Sequence, residues 1–120
     1  EYKYWWNRNG CSRWESQDQS WLLAFVKSLP LFVETKEHIF VHAGAFDSMH
    51  PSEQPSGVLL WERYGNQTGC LGKRLVVGHT PRDNVLVEDT RIGVDTGAFY
   101  TGKLSAYDVI NNQIYEAKRK

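Results

Sequence analysis

The amino-acid sequence predicts an α+β domain in which one helix is followed by about seven strands. Apolar residues first recur at helical spacing, and this pattern ends at Pro30. After Pro30 they fall into short β-type runs separated by turn-forming residues. Hydrophobic residues make up 41% of the 120-residue chain and aromatic residues 13%. This is enough for a core, because a chain of this length buries roughly two thirds of its unfolded surface.

The predicted helix begins at Ser16, whose hydroxyl oxygen can cap the first turn. Asp18 adds an acidic group near the positive end of the helix dipole. The helix ends before Pro30, which lacks a backbone N–H and disfavours helical geometry at Leu29. The apolar positions at helical spacing are Trp21, Leu22, Phe25, Val26 and Leu29.

The strands are predicted from apolar runs that stop at polar or glycine-containing turns. Turns at 35–37, 88–90 and 111–112 each join two such runs and predict hairpins. Small, polar and proline residues at 43–57 predict a long loop, and 65–73 is rich in turn formers. The predicted strand runs are 31–34, 38–42, 58–63, 75–77, 85–87, 92–94, 104–110 and 114–117.

Charge and cysteine content exclude several classes of protein. Fourteen basic residues balance fourteen acidic ones, which argues against a nucleic-acid-binding module, whose partner is a polyanion. No apolar run reaches the ~18 residues that a membrane helix needs, so we predict no membrane span and a cytoplasmic location. Cys11 and Cys70 lie far apart and form no C-x-x-C pair. We expect two reduced thiols, although a single disulfide between them stays open.

Three apolar strands stop at a polar residue close to glycine. His42 follows 39–41, His79 follows 75–77 and Gly78, and Asp95 follows 92–94. A strand fixes the direction of the side chain at its end, so such residues can converge at one edge of a sheet. A single histidine in this context is more often a hydrogen-bonded structural residue, but two in matching contexts indicate metal ligands, since neutral imidazole suits zinc, manganese or iron.

Arg63 and Asp95 each have a competing interpretation. Arg63, which follows the predicted strand, can present its fork to a phosphate or a carboxylate, while spacing alone favours a surface ion pair with Glu62 or another acid. Asp95-Thr96-Gly97 is also the tripeptide of aspartic proteases, which share one proton between two carboxylates. Only 25 residues of the 120 follow Asp95, whereas most of that barrel follows the tripeptide. The other interpretation of Asp95 is a turn residue that accepts backbone N–H bonds.

Taken in order, these pieces resemble the C-terminal half of a calcineurin-like metallophosphatase of the bacterial PPP type. That branch includes Ser/Thr protein phosphatases and symmetrical diadenosine tetraphosphatases. The resemblance covers roughly residues 29–110 and is specific as a set. The matching stretches are L-P-L at 29–31, I-F-V-H-A-G at 39–44, L-W-E-R at 60–63, V-V-G-H-T-P at 76–81, I-G-V-D-T-G-A at 92–98 and Y-T-G-K-L-S-A at 100–106.

The resemblance implies the C-terminal, β-rich half of an αββα sandwich and a site with two divalent metals, whether manganese, iron or zinc. It implies that His42 and His79 ligate the second metal and that Arg63 holds the substrate phosphate. Asp95 would be mainly structural, and Tyr100 is a candidate for lining the substrate groove. The implied substrate is a phosphoprotein or a small phosphoester. Of the two activities, Ser/Thr protein phosphatase is favoured over diadenosine tetraphosphatase. The choice between them stays open, because loop 43–57 would shape the substrate groove and its sequence does not distinguish the two.

The family motifs that hold the first metal, the bridging aspartate and the general acid are absent from residues 1–41. The chain also begins at Glu1 with a dense aromatic run. We therefore expect residues 1–120 to be a single partial domain with no general acid, inactive alone, and prone to self-association or to pairing with the missing N-terminal half. A non-catalytic, β-rich interaction module is the alternative from another class.

Overall fold

A computed structural model describes residues 20–63 and 69–119, which form an α+β fold with a five-stranded mixed sheet and a two-stranded sheet. Helix α1 spans Ser20–Ser28, so its predicted end before Pro30 is confirmed. The predicted start at Ser16 lies outside the described residues. No helix within 20–63 and 69–119 is long and apolar enough to cross a membrane.

The larger sheet has the order β1-β2-β3-β5-β4. Its three inner strands are parallel, and each edge strand pairs antiparallel with its neighbour. The predicted hairpins at both edges are therefore confirmed. The strands are β1 Phe32–Glu34, β2 His38–Val41, β3 Arg74–Val77, β4 Leu86–Val87 and β5 Arg91–Gly93.

The smaller sheet is the third predicted hairpin, made of β6 Lys103–Asp108 and β7 Gln113–Lys118. Its turn is held by Asp108, whose Oδ1 accepts the backbone N–H groups of Ile110 and Asn111 at 2.9 and 3.0 Å. Asn112 takes a left-handed φ of 54°, a conformation that asparagine tolerates better than most residues. The turn prediction at 111–112 is thus confirmed.

The predicted strand at 58–63 is wrong, because the structure has helix α2 at Ser56–Trp61. Strands β2 and β3 are parallel, and parallel neighbours need a crossover connection, which is usually helical. Leu59 faces the core with 1% of its surface exposed, while Trp61 is 56% exposed. The sequence predicted one helix, whereas the described residues contain more. Besides α1 and α2 they form the 3₁₀ helix Pro51–Glu53 and the short helix α3, Ala98–Thr101.

The core lies on the face of the sheet that α2 covers. Ile39 and Val41 point to this face because alternate residues of a strand share a side, and Leu75 joins them as the partner of Ile39 in β3. Loop 43–57 supplies Ala45, and Cys70 completes the cluster as a buried free thiol. Burial raises the pKa of this thiol and so favours its protonated form. Cys70 is free, in agreement with the expected reduced thiol, and Cys11 lies outside the described residues.

The other face of the sheet carries an apolar groove beside α1. Its lining includes Val26 of α1, Leu29 just after α1, Phe40 and Val76 of the sheet, and His42. Val26 and Val33 of this lining are each about half exposed. Apolar surface is therefore exposed on this face of the described residues.

Candidate functional site

The three strand ends singled out in the sequence meet at one edge of the sheet. Strands β2, β3 and β5 are parallel and adjacent, so the residues that follow them emerge on the same side. The Gly78 N–H donates to the His42 carbonyl at 2.9 Å, and the Val94 N–H donates to the Val77 carbonyl at 2.9 Å. These bonds continue the ladders past the strands and hold the loops that carry His42, His79 and Asp95 next to one another.

His42 and His79 are in direct contact. Nε2 of His42 lies 3.1 Å from Nδ1 of His79, with ring centroids 4.9 Å apart. The Trp61 ring packs edge-on against His79 at 5.6 Å. His79 has a positive φ of 62°, a left-handed conformation in which a residue other than glycine is strained. Tertiary contacts thus hold this imidazole where the local backbone does not favour it.

The surroundings of His79 favour its neutral form. Burial lowers the pKa of His79, and the neighbouring His42 and Arg63 lower it further; Asp95 and the Trp61 backbone oppose this shift more weakly. Nε2 of His79 is buried and has no hydrogen-bond partner among the described residues. The Trp61 backbone therefore acts on the His79 ring without a hydrogen bond of ordinary geometry. A neutral imidazole offers the lone pair that a metal ligand needs.

The geometry of the two histidines fits one metal ion. Nitrogens 3.1 Å apart that each lie about 2.1 Å from an ion subtend about 95° there, which suits neighbouring coordination positions. Within residues 20–63 and 69–119, no group of three or more His, Cys, Asp or Glu side chains is placed to hold a metal. This part of the chain therefore offers two ligands and not a full coordination shell.

Asp95 is engaged in its own turn. Its Oδ1 accepts the Gly97 N–H at 2.8 Å, which is the turn role considered for it in the sequence. Next to it, the Thr96 hydroxyl contacts the Lys103 carbonyl and the Ser105 hydroxyl, each at 2.8 Å. The turn therefore ties the end of β5 to the start of β6.

Arg63 follows the C-terminal end of α2 and lines a small pocket beside the histidine pair, together with Gly78 and Thr80. It is close enough to His79 to lower the pKa of that ring. Among the described residues no acidic side chain forms an ion pair with Arg63, so the surface pair with Glu62 is not formed. The structure thus places Arg63 near His79.

Tyr100 packs on the Asp95 turn and not in the pocket that Arg63 lines. It belongs to α3, is 68% exposed, and does not line the pocket that holds Arg63. Its ring lies over Gly97, where a Cβ atom would come within 2.5 Å of Tyr100 Cζ. The structure therefore places Tyr100 on the corner formed by the Asp95 turn.

Sequence reasoning missed two arginines of the site. Arg82 and Arg91 line the same pocket as Arg63. Arg82 lies three residues after His79, and that closeness was a usable signal. Arg91 carries no local signal, because its place beside Arg63 depends on the pairing register of β5 with β3.

No model of a known protein family matches this chain, and no curated protein matches it.

Proposed function

We propose that the chain is part of a dimetal phosphoesterase of the calcineurin-like type, with a Ser/Thr protein phosphatase as the favoured activity. His42 and His79 would ligate the second metal, and Arg63 would hold the substrate phosphate. The observation that carries the proposal is the 3.1 Å approach of His42 Nε2 to His79 Nδ1 at adjacent parallel strand ends. The proposed location is cytoplasmic, in keeping with the reduced thiol of Cys70.

Two bound divalent metals would lower the pKa of a water to about 7 and neutralise charge on the phosphoryl oxygens. The residues of the chain have simpler tasks. The site lowers the pKa of His79, which favours the neutral ring with its lone pair available, and the His42 ring lies against it. Arg63 presents parallel N–H donors that match two oxygens of a phosphate.

The ligands of the first metal, the bridging group and the general acid would come from groups other than the described residues. The described part of the chain contributes half a site, so we expect weak metal binding and little turnover by the chain alone. A phosphate held by Arg63 beside the two histidines would be oriented but not cleaved efficiently.

Zinc titration of the full chain, followed by NMR of the histidine rings, tests the proposal. We expect the ring signals of His42 and His79 to shift together and before those of His50. Both His42→Ala and His79→Ala should weaken zinc binding strongly. His38→Ala is the matched control, because His38 begins the same strand that His42 follows. Zinc binding that is equal in all four proteins would overturn the metal site.

Activity provides a second measurement. Hydrolysis of p-nitrophenyl phosphate by the chain with manganese, abolished by His42→Ala, would support phosphatase chemistry and contradict the expected incompleteness. We expect zinc binding without turnover, because the two histidines bind the metal and the rest of the catalytic site is missing from the described residues. Neither zinc binding nor turnover would favour the non-catalytic interaction module.

A further inference from the structure

Arg63, Arg82 and Arg91 line the small pocket beside the histidine pair. The pocket has a cavity volume of about 50 Å³ and lies on the face of the sheet that α2 covers. The sheet register explains this placement. Arg91 pairs with Leu75 of the core, and Gly93 pairs with Val77. Because paired residues share a face of the sheet, Arg91 and Gly93 lie on the core face. Gly78 and Thr80 also line the pocket.

Arg82 is held in place by its backbone and its stem. Its N–H donates to the Asp95 carbonyl at 3.0 Å. Its Nε lies 3.7 Å from the point that a Cβ atom of Gly93 would occupy, so the side chain packs over the β5 backbone. Within the described residues its guanidinium makes no hydrogen bond or ion pair. An arginine fixed at its stem, with its donors unused, is suited to an anionic ligand.

Arg91 reaches the pocket from β5, on the same face as Gly93 because the two residues are two apart. Its Nη2 lies 3.1 Å from Glu88 Oε2, and only 18% of its side chain is exposed. Glu62 also lines the pocket. Three guanidinium groups therefore lie with two carboxylates, Glu62 and Glu88, and the remaining positive charge favours an anion between them.

The size of the pocket limits what that anion can be. Sites for drug-sized molecules occupy roughly 300–1,000 Å³, so a cavity of about 50 Å³ admits a single small group. A tetrahedral oxyanion is small enough and can accept several N–H donors at once. Forked guanidinium donors match phosphate oxygens in geometry as well as in charge.

We infer that Arg82 and Arg91 form an oxyanion subsite next to Arg63, for a phosphoryl group other than the one that Arg63 would hold at the histidine pair. Its role in catalysis rests on the proposed function, whereas its binding of an oxyanion does not. The occupant would be a phosphoryl group in either case. It would come from free phosphate or from a second phosphoryl group on the substrate of the histidine site.

Binding of inorganic phosphate to the full chain, treated with EDTA and held at low ionic strength, tests the subsite. Calorimetry and the shifts of the arginine side-chain NMR signals measure it without any metal. Arg82→Gln should weaken binding about tenfold or more, since a charge-assisted hydrogen bond is lost. Arg82→Lys should lie between the wild type and Arg82→Gln, because it keeps the charge but not the fork.

Arg119→Gln is the matched control, because it makes the same change in net charge at a residue that follows β7 and does not line the pocket. Equal weakening by Arg82→Gln and Arg119→Gln, or no saturable phosphate binding by the wild type, would overturn the subsite. His42→Ala should leave phosphate binding unchanged in the absence of metal. Loss of phosphate binding in His42→Ala would also count against a separate subsite.

Methylenediphosphonate with zinc distinguishes the two sources. If the occupant is a second phosphoryl group of the substrate, zinc should tighten diphosphonate binding, and both His42→Ala and Arg82→Gln should reverse the gain. If it is free phosphate, zinc should leave the Arg82-dependent binding unchanged. Failure of the zinc titration with intact phosphate binding would refute the proposed metal site and leave the subsite standing.

Discussion

The ring nitrogens of His42 and His79 lie 3.1 Å apart although 37 residues separate them in the chain. Each histidine follows one of two adjacent parallel strands, and the Gly78 N–H bond to the His42 carbonyl holds the two loops side by side. The contact is therefore a product of sheet topology, and the backbone at His79 is strained to make it, with a φ of 62°.

This strain predicts an unusual order of stability among variants of His79. Both His79→Ala and His79→Gly lose the contact with His42, but only glycine adopts a left-handed φ without cost. We expect His79→Gly to be more stable than His79→Ala by about 1 kcal/mol. Urea denaturation measures the difference, and an alanine variant as stable as the glycine variant would show that the strain is absent.

Leu59 should be the side chain through which α2 is anchored to the sheet. It is 1% exposed and packs in the cluster with Ile39 and Leu75. We expect Leu59→Ala to lower the free energy of unfolding by about 2–5 kcal/mol, because it leaves a cavity in the core. Leu104→Ala is the control, since Leu104 is 65% exposed, and a similar loss in both variants would contradict this account of the core.

Gly97 and Gly57 should respond oppositely to alanine. At Gly97, φ is +68° and a Cβ atom would lie 2.5 Å from the Tyr100 ring, so we expect a loss of about 1–2 kcal/mol from the backbone alone. Gly57 lies in α2 with no atom within 4 Å of its added Cβ. There alanine should add about 0.5–1 kcal/mol of stability. Thermal unfolding of the two variants would contradict the turn geometry if their shifts had the same sign.

Stability should fall in acid partly through Glu34. The hydrogen bond from Lys73, at 2.7 Å, lowers the pKa of Glu34 most, and the bond with His50, at 3.0 Å, lowers it further. The unfolded carboxylate therefore takes up a proton at a higher pH than the folded one. The stabilisation is present above the ordinary glutamate pKa and is lost as the pH falls through the lower folded value.

Glu34→Gln should flatten the acid side of the stability profile measured by urea denaturation between neutral pH and pH 3. Glu37→Gln, in the adjacent turn, is the control and should leave the slope as it is in the wild type. An unchanged slope in Glu34→Gln would mean that the contacts with Lys73 and His50 add nothing to stability.

The hairpins and the strand ends could be predicted because their signals are local. Turn residues at 111–112 and the apolar alternation around them specify β6 and β7 without reference to the rest of the chain. The error at 58–63 has an equally clear cause. A short apolar run such as Leu59-Leu60-Trp61 suits a strand or a buried helix turn, and the parallel pairing of β2 with β3 decides for the helix.

By itself, the sequence determined the α+β class, the hairpins and the placement of His42, His79 and Asp95 after apolar strands, because these depend on residues adjacent in the chain. Only the tertiary structure decided that the two histidines touch and that Arg82 and Arg91 line the same pocket as Arg63. The physical reason is that parallel order and pairing register set distances between residues far apart in sequence, and no local pattern encodes them.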